Sequence, residues 1–186
     1  MDAFLTSLLL VALAEIGDKT QLLSFVLAAR LRRPWAIIAG ILVATLANHA
    51  MAGWVGNWLG SLVSPEMLRW VAGGVFVVFG LWTLKPDELD DDDAPANSHA
   101  GAFVTTTIAF FMAEMGDKTQ FATVALAAKF ESLAWVVLGT TIGMLLANVP
   151  AVLIGEKLAK RLPLKQIRWI AAAVFVATGL YTLAGY

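Results

Sequence analysis

The sequence predicts an all-α membrane protein with six transmembrane helices, arranged as two inverted repeats of three helices each. Three observations lead to this prediction. The chain is 59% hydrophobic and 15% charged, with a mean hydropathy of +0.76, whereas soluble domains are about 45–50% apolar and about 25% charged. Its apolar residues occur in blocks long enough for membrane-spanning helices, which take about 20 residues each. The two halves of the chain also repeat one another.

Short polar connections separate the predicted spans, except for one long connection in the middle of the chain. That connection includes the run Asp90-Asp91-Asp92-Asp93 and has no apolar periodicity, which is typical of a flexible solvated linker. An alternative role for the acidic run is a low-affinity cytoplasmic collector or sensor of divalent cations. We predict a first three-helix repeat at residues 1–85, an acidic linker at 86–101 and a second, inverted three-helix repeat at 102–186. The predicted spans cover roughly residues 4–29, 35–59, 68–84, 102–128, 134–156 and 167–184.

An internal repeat relates the two halves of the chain. Glu15 and Glu114 stand 99 positions apart, and an offset of 100 relates Asn48 to Asn148, so the second half absorbs a one-residue insertion. Because each unit has an odd number of spans, consecutive units enter the membrane from opposite sides. This is the inverted-repeat arrangement of secondary transporters, whose binding site lies at the repeat interface near the membrane midplane. The offset of 99 also relates Arg69-Trp70 to Arg168-Trp169 and Val75-Phe76-Val77 to Val174-Phe175-Val176.

The distribution of basic residues predicts the orientation in the membrane. Cytoplasmic loops carry an excess of Lys and Arg. Of the 13 basic residues, two lie inside the first and fourth spans, Arg69 and Lys129 lie on one side, and nine lie on the other side. We therefore expect the acidic linker to be cytoplasmic and both termini to lie outside, in a bacterial inner membrane. The nine residues are Arg30, Arg32, Arg33, Lys85, Lys157, Lys160, Arg161, Lys165 and Arg168.

Each repeat carries the same charged motif in the middle of an apolar run. The motif is Glu15-Ile16-Gly17-Asp18-Lys19-Thr20-Gln21 in the first span and Glu114-Met115-Gly116-Asp117-Lys118-Thr119-Gln120 in the fourth. One charge at the bilayer centre costs at least about 2.5–3.5 kcal/mol. Two carboxylates and a lysine, placed there twice, are therefore expected to be functional.

On a continuous helix, the spacing of the motif places Glu15, Asp18 and Lys19 on one face, and the same holds for the second motif. If the two units face each other, four carboxylates meet near the centre of the membrane. Gly17 and Gly116 would let the backbones approach closely, or let the helix loosen and expose its carbonyl groups.

The chemistry of this predicted site suits a hard divalent cation. The chain has no cysteine, and oxygen ligands favour Mg²⁺, Ca²⁺ or Mn²⁺ over zinc or copper. Each motif has a net charge of −1, so one divalent cation neutralises the two motifs together. When the cation leaves, closely spaced carboxylates in a low-dielectric environment take up protons, because burial and like charge both favour the neutral form. The hypothesis assigns Glu15, Asp18, Glu114 and Asp117 as shared ligands and proton carriers, and Lys19 and Lys118 to charge balance or gating.

Other polar residues lie at membrane depth in the second and fifth spans. Asn48 and Asn148 are either hydrogen-bonding contacts between helices or neutral oxygen ligands that complete the site. His49 has no counterpart, because Val149 occupies the matching position. For His49, a core histidine with satisfied hydrogen bonds is favoured over a ligand or a proton carrier.

Two interpretations from other classes account for fewer residues. If Glu15–Lys19 and Glu114–Lys118 were only i,i+4 salt bridges in a structural protein, the two aspartates and the repeated Thr-Gln would be unexplained. An intramembrane aspartyl hydrolase uses paired acids, but the motifs typical of such enzymes are Gly-x-Gly-Asp on one helix and Tyr-Asp on another. Here Glu stands two residues before each motif glycine, so the chain is not predicted to be an enzyme.

The duplicated Glu-x-Gly-Asp-Lys-Thr resembles the motif of a membrane family of calcium/manganese cation:proton exchangers. That family includes bacterial manganese exporters and the Golgi and chloroplast manganese/calcium transporters. The resemblance covers essentially the whole chain and is specific, because the motif occurs twice at matched depth beside an acidic central loop. It implies that the cation is bound by Glu15, Asp18, Glu114 and Asp117, supported by Thr20 and Thr119, with Gln21 and Gln120 continuing the match.

The resemblance also implies a function and a set of partners. For a compact bacterial member it implies export of Mn²⁺ from the cytoplasm, by alternating access and in exchange for protons. A Ca²⁺/H⁺ exchanger is the alternative within the same class, because the ligand types do not separate the two ions. The expected partners are the lipid bilayer, Mn²⁺ or Ca²⁺, and protons, with no cofactor and no nucleic acid.

Overall fold

The computed structural model describes residues 1–85, 101–130, 132–154 and 163–185. Apart from Gly101, the predicted acidic linker with its run Asp90–Asp93 lies outside the described residues, as do Lys157, Lys160 and Arg161. Within the described residues the chain is all-helical and has no strand. The helices are α1 Asp2–Glu15, α2 Lys19–Leu31, α3 Pro34–Leu62, α4 Pro65–Thr83, α5 Ala102–Glu114, α6 Lys118–Phe130, α7 Leu133–Ile154 and α8 Leu164–Leu183.

The first and fourth predicted spans are each broken into two helices at the charged motif. Between the halves, Gly17 has φ +84° and Gly116 has φ +76°, in the left-handed region that glycine adopts readily. Ile16 and Asp18 on either side of Gly17 are extended. The expectation of one continuous helix face carrying Glu15, Asp18 and Lys19 is therefore wrong, and the helix has loosened at its glycine instead.

Among the described residues, four helices are long and apolar enough to cross a membrane: α3, α4, α7 and α8. They match the second, third, fifth and sixth predicted spans, with boundaries shifted by a few residues. The other four helices have 13 or 14 residues each, about 20 Å of helix, whereas the hydrocarbon core of a bilayer is about 30 Å thick. Only in pairs, α1 with α2 and α5 with α6, are they long enough to cross.

The helices pack in repeat-related pairs around a central contact. The long helices α3 and α7 pack against each other, α1 packs on α7, and α5 packs on α3 in the equivalent way. The half-helices α2 and α6 pack on α7 and α3, respectively. This exchange of helices between the two halves brings the two motif breaks together in the interior of the protein.

A second helix pair, α4 with α8, packs beside this core. Phe76 and Phe175, which are related by the repeat, contact each other with ring centroids 6.4 Å apart. The two helices cross closely at glycines, because a Cβ atom at Gly80 would lie 2.9 Å from a backbone oxygen of α8, and one at Gly179 would lie 2.7 Å from a backbone oxygen of α4. The α4–α8 pair is thus tightly joined along its own interface.

Candidate metal centre

The motif carboxylates lie where the half-helices end and begin. Glu15 and Glu114 are the last residues of α1 and α5, and Asp18 and Asp117 directly precede α2 and α6. A helix N-terminus carries partial positive charge and a C-terminus partial negative charge. The aspartates are therefore stabilised by the helices that follow them, while the ends of α1 and α5 favour a cation. Broken membrane helices build ion sites in secondary transporters in the same way.

Three of the four predicted ligands form one buried group. Carboxylate oxygens of Glu15, Asp18 and Asp117 all lie within 4.8 Å of one another. These residues are 0%, 2% and 7% exposed, respectively. Ligand oxygens about 2.3–2.6 Å from one Ca²⁺ ion lie at most about 5 Å apart, so the spacing fits a shared divalent cation. Glu114 is equally buried, at 1% exposed, but it does not belong to this group.

Two ion pairs cross between the motifs. Lys118 Nζ lies 2.6 Å from Asp18 Oδ1, and Lys19 Nζ lies 4.0 Å from Asp117 Oδ1. The interpretation of the motifs as structural elements required a pair between Glu15 and Lys19 on one helix face. The break at Gly17 removes that face, and Lys19 contacts the aspartate of the other motif instead. The ion pairs therefore join the repeats to each other.

Threonine hydroxyls donate hydrogen bonds to three of the motif carboxylates. Thr20 Oγ1 donates to Glu15 Oε2 at 2.5 Å, and Thr119 Oγ1 donates to Asp117 Oδ2 at 3.2 Å. Thr45 Oγ1 of α3 donates to Glu114 Oε1 at 2.7 Å. The other oxygens of the two glutamates, Glu15 Oε1 and Glu114 Oε2, are buried and accept no hydrogen bond from the described residues. Buried acceptors of this kind are costly unless a cation or a proton satisfies them.

Sequence reasoning missed Thr45. Its repeat position in α7 is occupied by Leu145, so the comparison of the two halves gave no signal there. The available signal was a hydroxyl in the apolar middle of the second span, one turn before Asn48.

The motif glutamines stabilise the two breaks. Gln21 Oε1 accepts a hydrogen bond from Gly17 N at 2.9 Å, and Gln120 Oε1 accepts one from Gly116 N at 2.8 Å. Each glutamine also donates to the neighbouring long helix, Gln21 to the Ala147 carbonyl oxygen at 2.9 Å and Gln120 to Asn48 Oδ1 at 2.6 Å. The glutamines thereby fix the positions of the motif backbones on α7 and α3.

The contacts of the two asparagines favour the interhelical interpretation. Asn48 Nδ2 donates to the Phe111 carbonyl oxygen at 3.0 Å, while its Oδ1 accepts from Gln120. Asn148 Oδ1 accepts from Ser24 Oγ at 2.8 Å. Both amide oxygens therefore have hydrogen-bond donors from another helix.

His49 is buried, as expected, but it is not satisfied. Neither ring nitrogen has a hydrogen-bond partner among the described residues. The expectation of a core histidine with satisfied hydrogen bonds was therefore right about burial and wrong about the bonds.

Half-helices that meet at buried polar groups are typical of membrane transporters for ions. The sequence places the chain more narrowly: it belongs to the GDT1 family of divalent cation/proton antiporters, whose profile matches residues 3–91 and 102–186. The protein is thus an integral membrane antiporter and not an enzyme, and the divalent cation is its substrate rather than a cofactor.

Individual relatives cover nearly the whole chain. A Vibrio cholerae protein named "Putative manganese exporter" is 51% identical over 183 residues, which are 98% of this chain and 90% of the relative. A GDT1-like protein of Synechocystis is 29% identical and covers 94% of this chain and 93% of its own length. GDT1-like protein 5 of Arabidopsis thaliana is 28% identical, with 98% and 96% covered. No solved structure gives a significant match.

Proposed function

We propose that this protein exports Mn²⁺ from the cytoplasm in exchange for protons, at a site formed by Glu15, Asp18, Glu114 and Asp117. The observation that carries the proposal is the buried group of three carboxylates, contributed by both motifs, with oxygens within 4.8 Å of one another. Mn²⁺ is chosen because the Vibrio cholerae relative, at 51% identity, is named for manganese export. Ca²⁺ satisfies the same oxygen ligands and is the alternative substrate.

The proposed architecture is six spans in two inverted repeats. The pairs α1–α2 and α5–α6 each count as one broken span, and α3, α4, α7 and α8 are the four others. The equivalent packing of α1 on α7 and of α5 on α3 supports this assignment. The repeats would cover residues 1–85 and 102–186, joined by the linker at 86–101.

The proposed orientation places the linker in the cytoplasm and both termini outside, because basic residues are concentrated at the linker side. A single cysteine introduced by Ser98→Cys tests it in this cysteine-free chain. A membrane-impermeant maleimide should label it in inside-out vesicles and leave it unlabelled in intact cells; the reverse pattern would invert the topology.

The site chemistry supports exchange rather than simultaneous binding. A metal ion and protons both neutralise the same carboxylate oxygens. A bound divalent cation therefore excludes the protons, and protonation lowers the affinity of the site for the cation. Lys118 Nζ pairs with Asp18 Oδ1, and this ammonium has no lone pair with which to bind a metal. A cation that binds Asp18 Oδ1 therefore competes with this ammonium. Thr20 and Thr119 orient the carboxylates during both steps.

The decisive experiment is ion flux into proteoliposomes, with Mn²⁺ or Ca²⁺ and with or without a pH gradient. Asp18→Asn and Asp117→Asn should each abolish flux while the folded protein remains in the membrane. Glu66→Gln, which removes an exposed carboxylate at the start of α4, is the matched control and should retain flux. Flux of Ca²⁺ alone would reassign the substrate, and full flux in the double Asp18→Asn/Asp117→Asn variant would remove the site.

A further inference from the structure

The α4–α8 pair lies along only one half of the core. Helix α8 runs along α1: Leu164 at its start lies beside Gly17, where a Cβ atom would be 3.1 Å from Leu164 Cδ2. Near its end, Thr178 and Tyr181 line one cleft with Asp2 and other residues of α1 and α6. Helix α8 is thus packed on α1 from the motif break to the N-terminus.

Helix α4 runs along α6 in the same half of the protein. The Phe79 ring stacks on Phe121, which directly follows the second motif, with centroids 6.1 Å apart. At the other end of α6, Lys129 Nζ donates to Thr182 Oγ1 of α8 at 2.6 Å. Half-helices α1 and α6, which lead away from the motifs toward the N-terminal end of the bundle, are therefore both covered by the pair.

The repeat-related half of the core is not covered in this way by the described residues. By the repeat, α5 corresponds to α1 and α2 corresponds to α6, yet within the described ranges α5 and α2 make no comparable contact with α4 or α8. A Cβ atom at Gly116 would meet no described residue within 4 Å, in contrast to Gly17. Met112 and Met115 beside it are 64% and 46% exposed. The two halves of the core have equivalent folds but unequal surroundings.

We propose, on the basis of the antiporter function above, that α4 and α8 move as one unit between two repeat-related positions on the core. In the observed position the unit covers α1 and α6 and closes the site at the N-terminal end. In the other position it covers α5 and α2 and closes the site at the linker end. The Phe79–Phe121 stack and the Lys129–Thr182 hydrogen bond hold the observed position, because both join the unit to α6.

The repeat identifies the contacts of the second position. The counterparts of Phe121 and Phe79 are Leu22 and Thr178, and the counterparts of Lys129 and Thr182 are Arg30 and Thr83. Thr83 and Thr182 each donate to the carbonyl oxygen four residues earlier in their helix, at 2.8 Å. Their hydroxyl oxygens can each still accept a hydrogen bond from a basic side chain. The structure thus contains one formed set of contacts between the unit and the core, and the residues for an equivalent set in the second position.

Cross-linking in the cysteine-free chain tests the proposal. The double variant Phe79→Cys/Phe121→Cys is treated with a short, reducible bifunctional thiol reagent, and Mn²⁺ flux and Mn²⁺ binding are measured before and after reduction. The cross-link should abolish flux, leave binding intact and be reversed by reduction. The matched control is Phe76→Cys/Phe175→Cys, whose cross-link lies inside the unit and should leave flux unchanged, because α4 and α8 are expected to move together.

A second pair detects the other position. Leu22→Cys/Thr178→Cys should cross-link during turnover, with Mn²⁺ and a pH gradient present, and much less in their absence. The proposal is overturned if the Phe79/Phe121 cross-link leaves flux unchanged, if the Phe76/Phe175 cross-link stops it, or if Leu22/Thr178 never cross-links in protein that transports. Absence of flux in the unmodified, folded protein would instead refute the antiporter assignment, and the two failures are thereby distinguished.

Discussion

Replacement of Lys118 by glutamine should tighten Mn²⁺ binding. The Lys118 ammonium lies 2.6 Å from Asp18 Oδ1 and is buried, so it competes with a cation for this oxygen. A hydrogen bond to a charged group contributes about 1.5–3 kcal/mol. Because about 1.4 kcal/mol corresponds to a tenfold change in affinity, removal of this competitor should lower the Mn²⁺ Kd by roughly 10- to 150-fold. Turnover should fall, because the same ammonium helps to expel the ion.

The matched control is Lys19→Gln in the other motif. Lys19 lies 4.0 Å from Asp117 Oδ1 and is 23% exposed, and partly exposed pairs contribute about 0–1 kcal/mol. Its effect on Kd should therefore be at most about fivefold. Calorimetric titration of the purified protein at fixed pH and ionic strength measures both constants, and Lys118→Arg shows whether the charge alone is sufficient.

Weaker binding in Lys118→Gln would refute this reasoning. It would mean that Lys118 holds Asp18 in place for the metal rather than competing with it. Equal effects of Lys118→Gln and Lys19→Gln would also contradict it, because the structure gives the two lysines different distances and burial.

Three further predictions follow from the site. Thr45→Val should raise the KM for Mn²⁺ flux by roughly two- to twelvefold, since it removes a hydrogen bond to Glu114 worth about 0.5–1.5 kcal/mol; Thr107→Val, whose hydroxyl bonds within its own helix, is the control and should not change KM. Gly17→Ala should lower the Tm in detergent more than Gly116→Ala: both impose a left-handed φ that costs a non-glycine residue about 1–2 kcal/mol, but only Gly17 also faces Leu164 at close range. Equal losses in the two variants would contradict the packing at Leu164. Mn²⁺ affinity should fall as pH falls, because the ionised carboxylates bind the cation and protons neutralise them. Asp18→Asn should flatten this dependence in a series of binding titrations, and an unchanged slope would exclude Asp18 as a proton acceptor.

The sequence predicted those parts of the protein that depend on local pattern. Blocks of apolar residues located α3, α4, α7 and α8. The motif identified the three carboxylates that cluster, together with Glu114, which lies outside the cluster. The family resemblance drawn from the duplicated motif is confirmed by the profile match over both halves. Each of these features can be predicted from a short stretch of the sequence or from the comparison of two such stretches.

Other features depend on tertiary placement and could not be read from the chain. Glycine in an apolar run is compatible with an intact helix or with a break. At Gly17 the break is accompanied by tertiary contacts, because Gln21 accepts the Gly17 amide hydrogen while donating to α7. The pairing of Lys118 with Asp18 requires the two repeats to be docked. The Thr45–Glu114 bond has no repeat-related equivalent, so it lay outside any comparison of the halves.

The ion pairs that cross between motifs have a consequence for biogenesis. Asp18 emerges from the ribosome about a hundred residues before Lys118. The first half therefore enters the lipid before the ion-pair partner of Asp18 has been synthesised. A buried charge without its partner is strongly destabilising. Insertion and assembly are therefore expected to be coupled, because the Asp18–Lys118 ion pair forms only after the second half has been inserted. Halves expressed as separate polypeptides should accumulate only when they are produced together, because each half stabilises the other.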